Sequence, residues 1–237
     1  MIVKNIYKWC LGMLYPQTCC FCGEISKTPI CDRCIEKVKY IKEPRCKKCG
    51  KPVRYHEQEY CYDCQKSKLD FEQGKSVWLH EGVVKMGIYQ FKYQNRRIYG
   101  EFYAEEMFRL YGKWLQENQI DLIIPVPLHP KRRRARGYNQ SEIIAKYLGR
   151  RTGIKVDKKA VVRKKYTNPQ KLLGDKDRKK NLSHAFLLRK NIGDFKNILI
   201  VDDIYTTGST INEIAKTIRL KFTSKVWFLT ISIGQGF

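Results

Sequence analysis

Asn197–Phe222 reads NILIVDDIYTTGSTINEIAKTIRLKF. Ile198 to Val201 predict a buried strand, Asp202 and Asp203 mark its end, and Thr206 to Thr210 make a small hydroxylated loop centred on Gly208. Ile211, Ile214 and Ile218 then follow helical spacing. A strand, a short Gly and Thr loop and a helix start direct backbone amides and hydroxyls at one point, where the helix dipole adds partial positive charge. That arrangement suits phosphate. Two carboxylates beside it would repel a phosphate, so Asp202 and Asp203 read as acceptors for ribose hydroxyls. Thr206, Thr207, Gly208, Ser209 and Thr210 read as the phosphate cradle.

Upstream, Asp121–Pro127 (DLIIPVP) predicts a second buried strand, stopped by prolines that cannot continue a ladder. After Leu128-His129-Pro130 comes the run Lys131, Arg132, Arg133, Arg134, Ala135, Arg136, and a helix opens at about Ser141. Five cations in six residues between a strand end and a helix start suggest an anionic ligand at that edge. Lys158–Lys180 holds ten Lys or Arg against two Asp, with Asn168-Pro169 and Gly174 interrupting regular structure, and is expected to be a long mobile basic loop after a strand at Ala160–Val162. Val84, Ile88 and Phe91 predict one amphipathic helix. Tyr103, Met107, Leu110, Tyr111 and Trp114 predict a second. Lys92, Arg96 and Arg97 crowd the junction between them near Gln94 and Asn95, giving a third basic cluster.

The front of the chain has a different chemistry. Eight cysteines form four C-x-x-C pairs, Cys19/Cys22, Cys31/Cys34, Cys46/Cys49 and Cys61/Cys64, and the first and third pairs are each followed by glycine (Gly23, Gly50). A C-x-x-C turn sets two thiolates on one side of a tight loop, and two turns make the tetrahedral cage that zinc prefers. The repeated order predicts two consecutive four-cysteine zinc sites, with interleaved ligation as the alternative. A disulfide framework would require an oxidising compartment, and the spacing is unlike that of ferredoxins. Cys10 and Cys20 are left outside both sites. Ile2, Ile6, Trp9, Met13 and Leu14 predict a short amphipathic helix ahead of the cysteines, with no small-residue cleavage site. The organisation expected is an N-terminal helix and double zinc ribbon over 1–66, a linker over 67–80, and an α/β domain over 81–237.

The 237 residues are 43% hydrophobic and 30% charged, enough apolar material for a packed core. Lys and Arg number 47 against 23 Asp and Glu, a net +24 that calls for a polyanion or an acidic surface as partner. Collagen-like, mucin-like and acidic-tail classes are excluded. No run approaches the roughly 18 apolar residues of a membrane span, so a cytoplasmic protein is expected.

VDDIYTTGST resembles the phosphoribosyl pyrophosphate signature of type I phosphoribosyltransferases. Together with PVPLHPKRRRARGYNQS and the cysteine-rich front, the chain is similar over essentially its whole length to the ComF family of competence-associated proteins. The resemblance implies a type I phosphoribosyltransferase-like fold, a central parallel sheet flanked by helices, and a role in DNA uptake during natural transformation. By position it implies that Asp202 and Asp203 hold the ribose 2′ and 3′ hydroxyls, that Thr206–Thr210 wrap the 5′-phosphate, and that Pro127–Arg136 take the pyrophosphate side. Several purine transferases carry an acid–base aspartate where Thr206 stands here. A threonine cannot fill that role at neutral pH.

Two readings follow. In one, the chain binds phosphoribosyl pyrophosphate or a related nucleotide and single-stranded DNA, with Lys92, Arg96, Arg97, Lys131, Arg132, Arg133, Arg134 and Arg136 as DNA contacts; the resemblance adds a competence helicase-like ATPase as a partner. In the other it is a transferase in which Mg²⁺ bridges the pyrophosphate while a nitrogen base attacks the ribose and pyrophosphate leaves.

Overall fold

A computed structural model describes residues 16–164 and 184–235. The expected helix over residues 1–16 and Cys10 lie, but for Pro16, outside these residues, as does most of the expected basic loop Lys158–Lys180.

The chain is α/β. Five strands form one sheet in the order β1-β7-β6-β2-β3, every pairing parallel. They are β1 (Gly74–Leu79), β2 (Leu122–Pro125), β3 (Lys155–Val156), β6 (Asn197–Tyr205) and β7 (Lys225–Ile233); β4 (Val161–Arg163) and β5 (Phe186–Leu188) make a separate antiparallel pair. Continuous apolar runs in β2, β6 and β7 have their reason in this topology, because helices cover both faces of a parallel sheet. On β7, Trp227, Leu229 and Ile231 join one core with α3 (Gly82–Tyr93), α4 (Tyr99–Glu117) and α6 (Gln140–Thr152). Val226 and Phe228 point the other way, into a second core with α7 (Ser209–Arg219).

Two expectations change in detail. Asp202 and Asp203 do not end β6, which continues to Tyr205 paired with Ile233. The run Lys131–Arg136 is not an open crossover but the short helix α5 (Pro130–Arg136). Pro130 supplies its first position, the His129 ring accepts from the Lys131 amide at 3.2 Å, and Gly137 closes it with φ of 76°.

The cysteine-rich front is built as two loops, each with a one-turn helix, α1 (Asp32–Ile35) and α2 (Tyr62–Gln65), carrying one cysteine of its second pair. It is fastened along β1. The Gly74 amide donates to Lys48 O at 2.8 Å, the Leu79 amide donates to Lys39 O at 3.0 Å, and Tyr40 bridges Trp78. Residues 67–80, read from sequence as a linker, thus contain the edge strand of the sheet, and the ribbons cover its otherwise open side. The two ribbons also go to opposite faces. Cys19, Cys34 and Phe21 pack with Trp78 and Tyr103, whereas Cys46, Cys49 and Cys61 pack with Tyr205, Ile211 and Phe228.

Candidate functional site

The cysteine sulfurs fall into two sets, Cys19, Cys22, Cys31 and Cys34, and Cys46, Cys49, Cys61 and Cys64, the atoms of each lying within 4.8 Å of one another. Cys22 to Cys31 is 3.8 Å and Cys49 to Cys61 is 3.6 Å. A tetrahedron with metal–sulfur bonds of ~2.3 Å has edges near ~3.8 Å, so both donor sets fit zinc. The cysteines group consecutively rather than interleaved. Cys20 is buried outside the ligand sets, its carbonyl accepting from the Tyr103 hydroxyl at 3.1 Å.

A second site forms at the C-terminal end of the parallel sheet, where strand ends and helix starts meet. The Ser141 hydroxyl donates to Asp202 Oδ1 at 2.8 Å, and the Asp203 amide donates to the same oxygen at 2.9 Å. Ser141 is held there by Asn139, which caps α6 by accepting from the Ser141 amide at 3.1 Å and donates from its own amide to Val126 O at 2.9 Å. That is the structural work of the Gly-Tyr-Asn-Gln-Ser segment. Asp203 pairs with Lys92 Nζ at 2.9 Å, both side chains largely buried. Burial, reinforced by the neighbouring Asp203 carboxylate, pushes the Asp202 carboxyl up to about 7 against the opposing pull of Lys92 and Ser141.

The loop after β6 is partly exposed, and Thr207 and Ser209 share a hydrogen bond of 2.8 Å. Gly208 caps α7 with φ of 77°, and a Cβ on it would collide with the hydroxyl of Tyr205 below. Only glycine permits both the left-handed angle and that approach. Tyr205 stacks on Phe228 with centroids 4.5 Å apart and planes 2° apart, while Lys51 of the second ribbon, ion-paired to Asp63 at 2.6 Å, lies 5.9 Å from the Tyr205 ring centre. The loop after β6 therefore stands on an aromatic floor continuous with the second ribbon.

Cations also lie within electrostatic reach of Asp202. Arg163, at the end of β4, is buried; that burial, with Arg132 adding to it and Asp202 opposing it, lowers its pKa to about 10. Desolvation first, then Arg163, Lys131 and Arg132, hold the His129 pKa below its ordinary value. Arg132, Arg163 and Asp202 thus share one electrostatic neighbourhood.

The fold brings the predicted basic residues of the α3–α4 junction and of α5 together. Arg136 Nη2 donates to the Tyr93 hydroxyl at 3.0 Å and its guanidinium stacks 4.8 Å from that ring; Arg97 lies 4.9 Å from the Tyr138 ring and reaches Gly137 O at 3.5 Å. Within this edge, Lys92 turns inward to Asp203, and Arg133 makes a two-pronged pair with Glu142 at 2.5 and 3.0 Å. Arg96 and Arg134 are exposed. Sequence reasoning missed the roles of Ser141, Arg163 and Lys92. The one local signal was the capping pattern at Asn139; the pairing of residues 61 and 111 positions apart, Ser141 with Asp202 and Lys92 with Asp203, leaves no trace in spacing.

A model of the double zinc ribbon domain family matches residues 10–65. Competence protein F of Haemophilus influenzae is 38% identical over 137 residues, 56% of this chain and 60% of that protein. The DNA utilization protein YhgH of Escherichia coli strain K12 is 41% identical over 96 residues, 40% of this chain and 42% of that protein. Competence protein ComFC of Bacillus subtilis is 25% identical over 159 residues, 66% of this chain and 62% of that one. The matched stretches span about two fifths to three fifths of these relatives' lengths. No helix among the described residues is long and apolar enough to cross a membrane.

Proposed function

We propose that the chain is a ComF-family protein that binds a phosphoribosyl ligand at Asp202–Thr210 and single-stranded DNA along the adjoining basic edge, in a role in DNA uptake; its likeness to competence protein F and ComFC and its double zinc ribbon support the family. The observation that carries the proposal is the arrangement Ser141–Asp202–Asp203–Lys92 beside a glycine-capped helix start at the carboxyl ends of parallel strands. Carboxylates oriented by a hydroxyl and an ammonium accept ribose hydroxyls, and the amides and hydroxyls of Thr206–Thr210 face a phosphate. Phosphoribosyl pyrophosphate with Mg²⁺ suits such a site, its pyrophosphate lying toward Arg132 and Arg163.

The names of competence protein F, competence protein ComFC and the YhgH DNA utilization proteins favour DNA as the polyanion that the net +24 calls for. Titrating a labelled 20-nucleotide single strand at rising salt, with and without phosphoribosyl pyrophosphate, tests the proposal. Affinity that falls with salt and exceeds that for the matching duplex supports it; equal weak affinity for both overturns the DNA half.

A transferase reading keeps one specific support, the cations Arg132 and Arg163 near Asp202, where departing pyrophosphate would be neutralised. Pyrophosphate release with any nucleobase would establish it.

A further inference from the structure

A cavity of about 330 Å³ opens beside Asp203, at the carboxyl ends of β1 and β6 and against α3. His80, Lys85, Met86, Tyr89, Tyr93 and Ile204 line it, together with Lys92, the partner of Asp203. Its size lies at the lower end of the ~300–1,000 Å³ typical of small-ligand pockets, room for one planar ring system rather than a folded peptide.

Three of these residues break the usual rule for a helix face. Met86, Tyr89 and Tyr93 are 42%, 53% and 51% exposed, although they follow the i, i+3, i+7 spacing of a packed stripe. Tyr89 and Tyr93 stand one turn apart with ring centres 5.0 Å apart and planes inclined at 45°, so the two rings form one aromatic wall. Arg136 fixes that wall by stacking on Tyr93 and donating to its hydroxyl. The lining carries Lys85, and Lys92 in its pair with Asp203, and among the described residues no carboxylate belongs to it. An apolar protein surface would find an aromatic wall here but cationic edges; a nucleobase with its attached phosphate meets both.

We propose that this cavity seats one unpaired base of a single-stranded DNA, stacked on Tyr89 and Tyr93, with the flanking phosphates on Lys85, Arg136 and the exposed arginines of α5. The inference rests on the reading of the chain as a single-strand binder and adds to it the place where a base leaves the strand. Aromatic stacking tolerates every base, so the seat gives binding without sequence preference.

The test uses the full zinc-loaded chain and a 12-nucleotide single strand carrying one central 2-aminopurine. Wild-type protein is expected to quench the 2-aminopurine emission on binding. Tyr89→Ala is expected to weaken binding roughly tenfold and to remove the quenching, while leaving the slope of log affinity against log salt unchanged, since the ring contacts no phosphate. Tyr89→Phe is expected to retain affinity and quenching. Both side chains are half exposed, so zinc content and melting temperature should stay at wild-type values. Wild-type affinity and quenching in both Tyr89→Ala and Tyr93→Ala, with the strand still bound, would overturn the seat and leave single-strand binding intact. A wild-type chain that binds no single strand would overturn both. Displacement of the strand by free dTMP at micromolar concentration would also overturn the proposal, by making the cavity a mononucleotide pocket.

Discussion

The ammonium of Lys92 lies 2.9 Å from Oδ1 of Asp203, and both side chains are largely shielded from water. This pair joins the last turn of α3 to the central strand of the sheet and balances one of two adjacent carboxylates. Lys92→Met should therefore leave Asp203 facing Asp202 without compensation. Loss of a hydrogen bond to a charged group costs about 1.5–3 kcal/mol, to be read in urea unfolding, and Lys92→Arg should restore part of it. A Lys92→Met protein as stable as the wild type would show that the pair contributes nothing.

Asp202 gives a pH signature. Its carboxyl is raised from the ordinary 3.8 to about 7 by burial and by Asp203, so between these values the folded chain holds a proton that the unfolded chain has lost. Stability contributed by this group is full below about pH 4, falls as pH rises toward 7, and is level above that. Asp202→Asn keeps an acceptor for Ser141 and removes the titration. The difference in unfolding free energy between pH 5 and pH 7.5 should shift toward higher relative stability at pH 7.5 in the variant, and identical pH profiles for the two proteins would contradict the assignment.

Metal loss should act on opposite faces of the sheet. Elemental analysis is expected to give two zinc ions per chain, falling to one in either Cys46→Ser or Cys31→Ser. Because Cys46, Cys49 and Cys61 share a core with Tyr205 and Ile211, Cys46→Ser should raise hydrogen exchange across 205–211. Cys31 packs on the other core, so Cys31→Ser should loosen Gly82–Tyr93 instead. The same exchange pattern in both variants would argue against separate supports.

How much of this was legible in the sequence depends on whether the signal was local. The order Cys19 to Cys64 announced both metal sites, since each is closed within a short stretch of chain. NILIV and DLIIPVP announced strands because both faces of β6 and β2 are buried, and the helix after Gly208 followed from Ile211, Ile214 and Ile218. Composition alone reads the ribbons as a module joined by a linker over 67–80. Instead β1 lies within that stretch, its register with β7 set across about 150 residues, a pairing no local pattern encodes. The basic clusters were visible as charge, but their division was not. Arg133 is committed to Glu142 and Lys92 to Asp203, whereas Arg134 faces solvent, and only the assembled fold makes that distinction.

That division predicts unequal salt effects. If the basic edge binds a single strand, Arg134→Ala should reduce the magnitude of the slope of log affinity against log salt by about 0.7, one phosphate contact. Arg133→Ala should change it by less, because its guanidinium is already paired with a carboxylate. Equal changes measured by fluorescence anisotropy between ~50 and ~200 mM salt would place both arginines on the strand.

The most direct measurement is isothermal titration of the zinc-loaded chain with phosphoribosyl pyrophosphate and Mg²⁺, beside its Asp203→Ala variant. Saturable one-to-one binding to the wild type is expected, weakened roughly ten- to hundredfold in the variant as a buried acceptor is lost. No heat of binding to the wild type, or equal affinity in the two proteins, would contradict a phosphoribosyl site at Asp202–Thr210.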